Sequence, residues 1–203
     1  KIVKIDGDAL VPSVVYYSEE EVLVGKRALE AYRLAPRAGV RSVKRLLDTR
    51  SDAASLTNLM PLAWVQGDGS LKRFKIGHRV LSPIHVYKEI LSYLKSQAEH
   101  ELGFTVKEVV LTVPAYFSEA ARNATRYAAQ QAGLEIIRLI NEPTAAALHY
   151  GLEKNNDGTF VVCDIGGGTF DVSVLSLEDN FFQVLATGGD VALGGDDFDQ
   201  ALY

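Results

Sequence analysis

Asp164 and Asp171 flank three consecutive glycines, Gly166, Gly167 and Gly168, with Thr169 directly after them, in the stretch CDIGGGTFDVSVL from 163 to 175. Hairpins use glycine for backbone at positive φ, but one or two suffice. Carboxylates inside apolar runs are costly unless paired or metal-bound. Without side chains, the backbone N–H groups of Gly166, Gly167, Gly168 and Thr169 can converge on an anion. Two like charges about 4 Å apart cost roughly 4 kcal/mol at an effective dielectric near 20. Acids beside a polyphosphate therefore require a cation, and Mg²⁺ held partly through water suits them. Glycines and acids together describe a metal–nucleotide site.

Other phosphate and metal patterns fail. No G-x-x-x-x-G-K-[ST] occurs, and Asp171 stands where G-x-G-x-x-G needs its last glycine. The kinase H-R-D and D-F-G set is missing. His78, His85, His100 and His149 show no zinc spacing. Asp190, Asp196, Asp197 and Asp199 do not follow EF-hand order and read mostly as helix-start charges.

The 203 residues are 47% hydrophobic and 23% charged, an ordinary globular composition. A net charge of −5 asks for neither nucleic acid nor an acidic membrane, and no apolar run has the length of a membrane span. The single cysteine, Cys163, excludes an internal disulfide framework, fits a reducing cytoplasmic compartment and reads as a small core residue. The ends fall inside element-like runs, KIVKI and ALY, so the chain is expected to be a piece of a longer protein.

The elements that must position these residues follow from local pattern. KIVKI, SVVYY and VLV read as strands, VGKRALEAYRLA (24–35) as a helix, and SVKRLL (42–47) as a short basic segment. Residues 48 to 70 are poorly patterned, with turn signals at Asp48 to Asp52 and Gly67 to Gly69. Ser82-Pro83 starts a helix that Gly103 ends. Residues 106 to 113 form a strand stopped by Pro114. Ser118 caps a helix through Gln131, and 134 to 140 form the next strand, implying a parallel pair. PTAAALHYG (143–151) is a short helix ended by Gly151, and KNNDG (154–158) is a loop. Strands at 159–164, 169–177 and 181–187 then make a meander with a turn at Glu178-Asp179-Asn180. Gly188-Gly189 and Gly194-Gly195 punctuate loops before a helix at DDFDQALY. The expected divisions are 1–82, an irregular α+β upper lobe; 83–157, a βαβ core part; and 158–203, the start of a second core.

DIGGGTFD (164–171) resembles the second phosphate loop of the actin-like ATPases, and NEPTAAALHYGL (141–152) narrows this to the 70-kDa heat-shock chaperones. VPAYFSEAARNAT (113–125) and SVKRLL agree in the same order. The likeness is strong from about 81 to 203 and looser before; ATGGDVALGGDDFD (186–199) is more similar to the HscA branch, which serves iron–sulfur cluster assembly, than to the DnaK branch. The resemblance implies an α/β, ribonuclease H-like fold of mixed sheets flanked by helices, and ATP/ADP with Mg²⁺ as cofactors. It implies that Gly167, Gly168 and Thr169 contact phosphates, that Gly166 shapes the turn, and that Asp164 and Asp171 hold Mg²⁺ through water. Glu142 would orient water, and Lys44 would reach the γ-phosphate and attacking water. Phosphoryl transfer needs positioning and charge neutralisation above all. Pro114 and Arg122 match positions that couple nucleotide state to peptide binding; their plainer roles are a strand stop and a solvated charge. Implied partners are a client protein, an iron–sulfur scaffold and a J-domain co-chaperone.

The sequence departs from the family at Asp48-Thr49-Arg50, where glycine then arginine usually follows. The family's first phosphate loop would precede residue 1 and its adenine pocket would follow Tyr203. The chain alone is therefore expected to bind ATP poorly and hydrolyse it barely. The competing readings are a general folding chaperone, a sugar or acetate kinase, a filament protein of the actin type, and a module that binds nucleotide without hydrolysis. NEPTAAAL speaks against the kinases; intact Lys44, Glu142, Asp164 and Asp171 speak against the inert module.

Overall fold

A computed structural model describes residues 2–48, 60, 62–65, 72–154, 157–178 and 181–202. The first sheet has the order β2-β1-β3, from β1 (Val14–Tyr17), β2 (Val22–Val24) and β3 (Gly39–Arg41), all antiparallel. Helix α1 (Lys26–Leu34) links β2 to a 3₁₀ turn at Pro36–Ala38, and α2 (Val43–Leu47) follows β3. A second antiparallel sheet comprises β4 (Ala63–Val65), β5 (Arg73–Ile76) and β6 (Arg79–Leu81). The KIVKI run forms no strand over its described residues; an isolated bridge between Ile5 and Asp8 stands there, because Asp6-Gly7 turns the chain back at once.

Helix α3 (Pro83–Leu102) begins as its sequence requires. Ser82 Oγ accepts from the His85 amide, proline occupies the first turn, and Gly103 ends it at φ 76°. β7 (Glu108–Val113) and β8 (Glu135–Asn141) pair in parallel around α4 (Glu119–Gln131). Val86, Ile90 and Leu91 of α3 pack with Ala121, Ala128 and Ala129 of α4, and with Val15, Val40, Val43, Leu46 and Phe74, in one core. Small alanines on α4 let the helices approach closely. Ser118 caps α4 through a 3.2 Å bond from the Ala121 amide. Ser118→Ala should cost about 1 kcal/mol of stability, read as a lower urea midpoint with unchanged slope.

Helix α5 (Glu142–Lys154) follows β8 without a loop and packs on the meander of β9 (Gly158–Ile165), β10 (Phe170–Glu178) and β11 (Phe181–Asp190), in the order β11-β10-β9. Strand β10 alternates cleanly, with Asp171, Ser173, Leu175 and Leu177 buried. The final helix is α6 (Gly195–Leu202).

Three further local expectations fail. Gly151 does not end its helix, which runs three residues further to Lys154; a helix tolerates one glycine at a modest cost. Gly188 and Gly189 lie inside β11, opposite Val172 and Asp171. Cβ at Gly189 would stand 2.3 Å from the Phe170 carbonyl oxygen, so this strand glycine permits close backbone approach. Cys163 is exposed rather than in the core, because β9 turns Val161, Cys163 and Ile165 to its outer face. The turn signals at 49–52 and 67–69, and Asn155, Asn156, Asp179 and Asn180, lie outside the described residues.

Candidate phosphate and metal site

The glycine stretch is the β9–β10 turn, closed by a 3.0 Å bond from the Gly166 amide to the Thr169 carbonyl. That amide is therefore spent on the turn, and four amides do not converge; those of Gly167, Gly168 and Thr169 remain. None of the three glycines has a positive φ, so hairpin conformation does not explain them. Cβ atoms at Gly166 and Gly167 would meet nothing closer than 3.7 Å. The protein's own packing therefore leaves room for side chains there, and what their absence preserves is open space beside the backbone.

That space is a cavity of about 380 Å³, lined by Ser42, Lys44, Tyr87, Glu142, Asp196 and the loop from Gly166 to Thr169. Glu142 is the first residue of α5, at the carboxyl end of parallel strand β8, the usual ligand end of such strands. Its Oε1 accepts from Lys44 Nζ, which reaches across from α2. Burial works against the Lys44 ammonium, yet the Tyr87 oxygen, the Glu142 charge and hydrogen bond, and the Asp164 charge outweigh it, so its pKa lies above the ordinary lysine value.

Asp164 and Asp171 are directly opposed across β9 and β10. Opposed residues of an antiparallel pair hold like charges close together, which is destabilising without compensation. Asp171 is only 1% exposed. One carboxylate oxygen accepts from the Tyr116 amide at 3.2 Å, while the other, Oδ2, is buried without a hydrogen-bond partner. Burial raises the Asp171 pKa most; the Tyr116 amide opposes this, Glu142 and Asp164 add to it, and the Thr169 hydroxyl opposes it. An orphaned buried oxygen among three acids fits a cation whose coordination includes water. Among the described residues no three acids or histidines are arranged to enclose a metal directly, which is compatible with Mg²⁺ keeping several waters.

Neither aspartate lines the cavity; both sit beneath the loop that does. Pro114 and Arg122 also lie outside it. Pro114 is buried and opens a turn closed by the Phe117 amide. Arg122 is no solvated charge: it donates to the Phe117 and Ala115 carbonyls at 3.4 and 3.3 Å and to Asn141 Oδ1 at 2.9 Å. It thereby ties the segment whose Tyr116 amide meets Asp171 to the residue preceding Glu142. Asp48, the departure after α2, is fully buried and accepts from the Ser118 amide at 3.1 Å, so it joins the Lys44 helix to the start of α4.

Sequence reasoning missed a second set of residues. Ser42 Oγ donates to Asp196, and Arg41 lies 3.5 Å from the same carboxylate. Arg45, 1% exposed, donates to Asp197 and to the carbonyl oxygens of Gly168 and Gly167. Asp196 and Asp197 do occupy the first turn of α6, as expected of helix-start charges, yet their side chains reach across the cleft. Burial would raise the Asp197 pKa, but the Arg45 hydrogen bond and charge, with the Gly194 and Asp197 amides, hold it below the ordinary carboxylate value. Stability from this pair is thus fully present above the ordinary value of 3.8 and is lost as pH falls through the lower folded value. Asp197→Asn should flatten that part of the acid limb in a melting-temperature profile. Gly194 completes the set: its Cβ would stand 2.5 Å from the Gly167 carbonyl oxygen and 2.8 Å from the Gly168 nitrogen. Gly194→Ala should destabilise the fold by about 1–3 kcal/mol through this backbone overlap, seen as a lower melting temperature.

A family model described as "Hsp70 protein" matches residues 2–203. A chaperone protein HscA homolog of Haemophilus influenzae (strain PittGG) is 49% identical over 195 residues, 96% of this chain and 32% of that protein. The homolog of Neisseria meningitidis serogroup B is 49% identical over 201 residues, covering 98% and 32%. That of Actinobacillus pleuropneumoniae serotype 5b is 47% identical over 195 residues, covering 96% and 32%. The chain spans about a third of the length of these curated relatives.

Proposed function

The chain belongs to the Hsp70 family, as an HscA-like nucleotide-binding segment with a partial actin-like fold, and from that premise we propose that it supplies one wall of an ATP-hydrolysing site in a cytoplasmic chaperone. The observation that carries this reading is the meeting of Lys44, Glu142 and the Gly167–Thr169 amides around one cavity, with Asp164 and Asp171 beneath. The Gly167, Gly168 and Thr169 amides hold phosphate oxygens of ATP or ADP. Asp164 and Asp171 would hold Mg²⁺ through water, and an ion held there would neutralise charge on the phosphates and on the acids. Glu142 accepts a hydrogen bond from a water and orients it, while Lys44 fixes Glu142 and presents positive charge to the terminal phosphate. Pro114 and Arg122 carry the state of this site towards peptide binding, since Arg122 grips both the Tyr116 segment and Asn141. The divisions 1–82, 83–157 and 158–203 each contribute to the cleft: Lys44 from the first, Glu142 from the second and the glycine loop from the third.

The partners in this reading are a client protein, an iron–sulfur scaffold and a J-domain co-chaperone. The experiment is steady-state ATP hydrolysis by the full-length protein: alone, with an iron–sulfur scaffold protein, and with a generic unfolded peptide. Stimulation by the scaffold alone supports the specialised role. Equal or greater stimulation by the peptide makes it a general chaperone. Complete absence of basal hydrolysis refutes the ATPase reading.

A further inference from the structure

Loop amides can cradle an anion only if something holds the carbonyls of the same peptides away from it. In this loop the carbonyls of Gly167 and Gly168 point to Arg45, which is 1% exposed and comes from the opposite wall of the cleft. Arg45 Nη1 donates at 3.0 Å to Asp197, whose other oxygen also accepts from the Gly194 amide at 2.7 Å. The Gly167 carbonyl is further bound by the Asp196 amide at 2.9 Å, and that of Gly166 by the Gly195 amide at 3.0 Å. Gly168 lies so close to Arg45 that a Cβ would approach Nε to 3.3 Å. Ser42 precedes the Arg45 helix at φ 50°, a conformation rare for serine, with its hydroxyl bonded to Asp196.

We infer that Arg45, braced by Asp197, is the positioning residue of the phosphate loop: its guanidinium fork grips the Gly167 and Gly168 carbonyls from behind and so turns the amides of the same peptides, those of Gly168 and Thr169, into the cavity. A fork is required, because one side chain must serve two carbonyls and a carboxylate in fixed directions; an ammonium supplies charge without that geometry. The inference rests on the nucleotide reading of the cavity, and it is specific about chemistry: binding of phosphate groups depends on Arg45 although Arg45 touches none of them.

The test is calorimetric titration of the full-length protein with MgATP, together with the melting temperature of the nucleotide-free protein. Arg45→Lys should weaken MgATP binding by about tenfold or more at a temperature where the nucleotide-free variant is still folded, and its melting temperature should fall as well, because the fork's bonds exist without nucleotide. Binding within about twofold of wild type would mean that charge alone suffices, and would overturn the inference. If Arg45→Lys does not fold, Asp197→Asn decides: about three- to tenfold weaker binding supports the brace, and unchanged binding refutes it. Wild-type protein that fails to bind MgATP removes the nucleotide reading and this inference with it. Wild-type binding with an indifferent Arg45→Lys removes this inference alone.

Discussion

Lys44→Ala should reduce single-turnover ATP hydrolysis by the full-length protein about 10²- to 10³-fold, the cost of removing one preorganised charge partner from a reacting centre. Lys44 is the cation that crosses from α2 to Glu142, whose charge, with that of Asp164, bears on Asp171. Without the lysine, Glu142 loses the bond that orients it, and the cation left on this wall of the cavity among the described residues, Arg41, is already paired with Asp196. Part of the effect should appear as weaker nucleotide binding, so single-turnover rates at saturating MgATP isolate the chemical step. Lys95→Ala is the control, because Lys95 pairs 3.7 Å away with Glu99 on the surface of α3. Turnover by Lys44→Ala within a few-fold of wild type would remove the lysine from the mechanism.

The second large effect has opposite signs for stability and activity. Asp171→Asn should raise the melting temperature of the nucleotide-free protein near neutral pH by about 2–4 °C, as roughly 1 kcal/mol does in a domain of this size. The carboxyl is 1% exposed, directly opposite Asp164, with one oxygen unpartnered. Its folded pKa is raised above 3.8. Its contribution to stability is therefore fully present below that ordinary value and is lost as pH rises through the folded one. Asparagine keeps an oxygen for the Tyr116 amide and removes the charge. In the proposed function the same change removes a charged group that would hold the waters around Mg²⁺, so ATP turnover should fall at least about 100-fold. Destabilisation together with retained turnover would show that Asp171 is a structural acid. A gain in stability with lost turnover is the signature of a group kept for function at a cost to the fold.

Much of the fold was legible because its signals act over a few residues. Ser82-Pro83 and Ser118 start α3 and α4, Gly103 ends α3, and apolar spacing marks their buried faces. The strand–helix–strand order gave the parallel β7–β8 pair, and the three short apolar runs gave the meander. The failures share a cause. FVVC carries no alternation, so nothing local said that Cys163 would face outward. Gly188-Gly189 looked like a loop because a glycine pair is ambiguous; only the approach of β10 explains it as strand. Gly151 looked like a helix end because one glycine is a weak stop signal that neighbouring residues overrode.

The same division runs through the site. The sequence by itself determined the chemical vocabulary: a glycine loop between two acids, NEPTAAAL, and a basic SVKRLL segment, which together select the family and single out Lys44, Glu142, Asp164 and Asp171. The tertiary structure decided which of these meet and what else joins them. Lys44 and Glu142 are 98 residues apart, and Arg45 and Asp197 are 152 apart. Adjacent residues on α2 face different partners, Lys44 the Glu142 carboxylate and Arg45 the carbonyls of the glycine loop. No periodicity encodes such pairings, because a contact between distant segments depends on how whole elements pack rather than on the residues next to it.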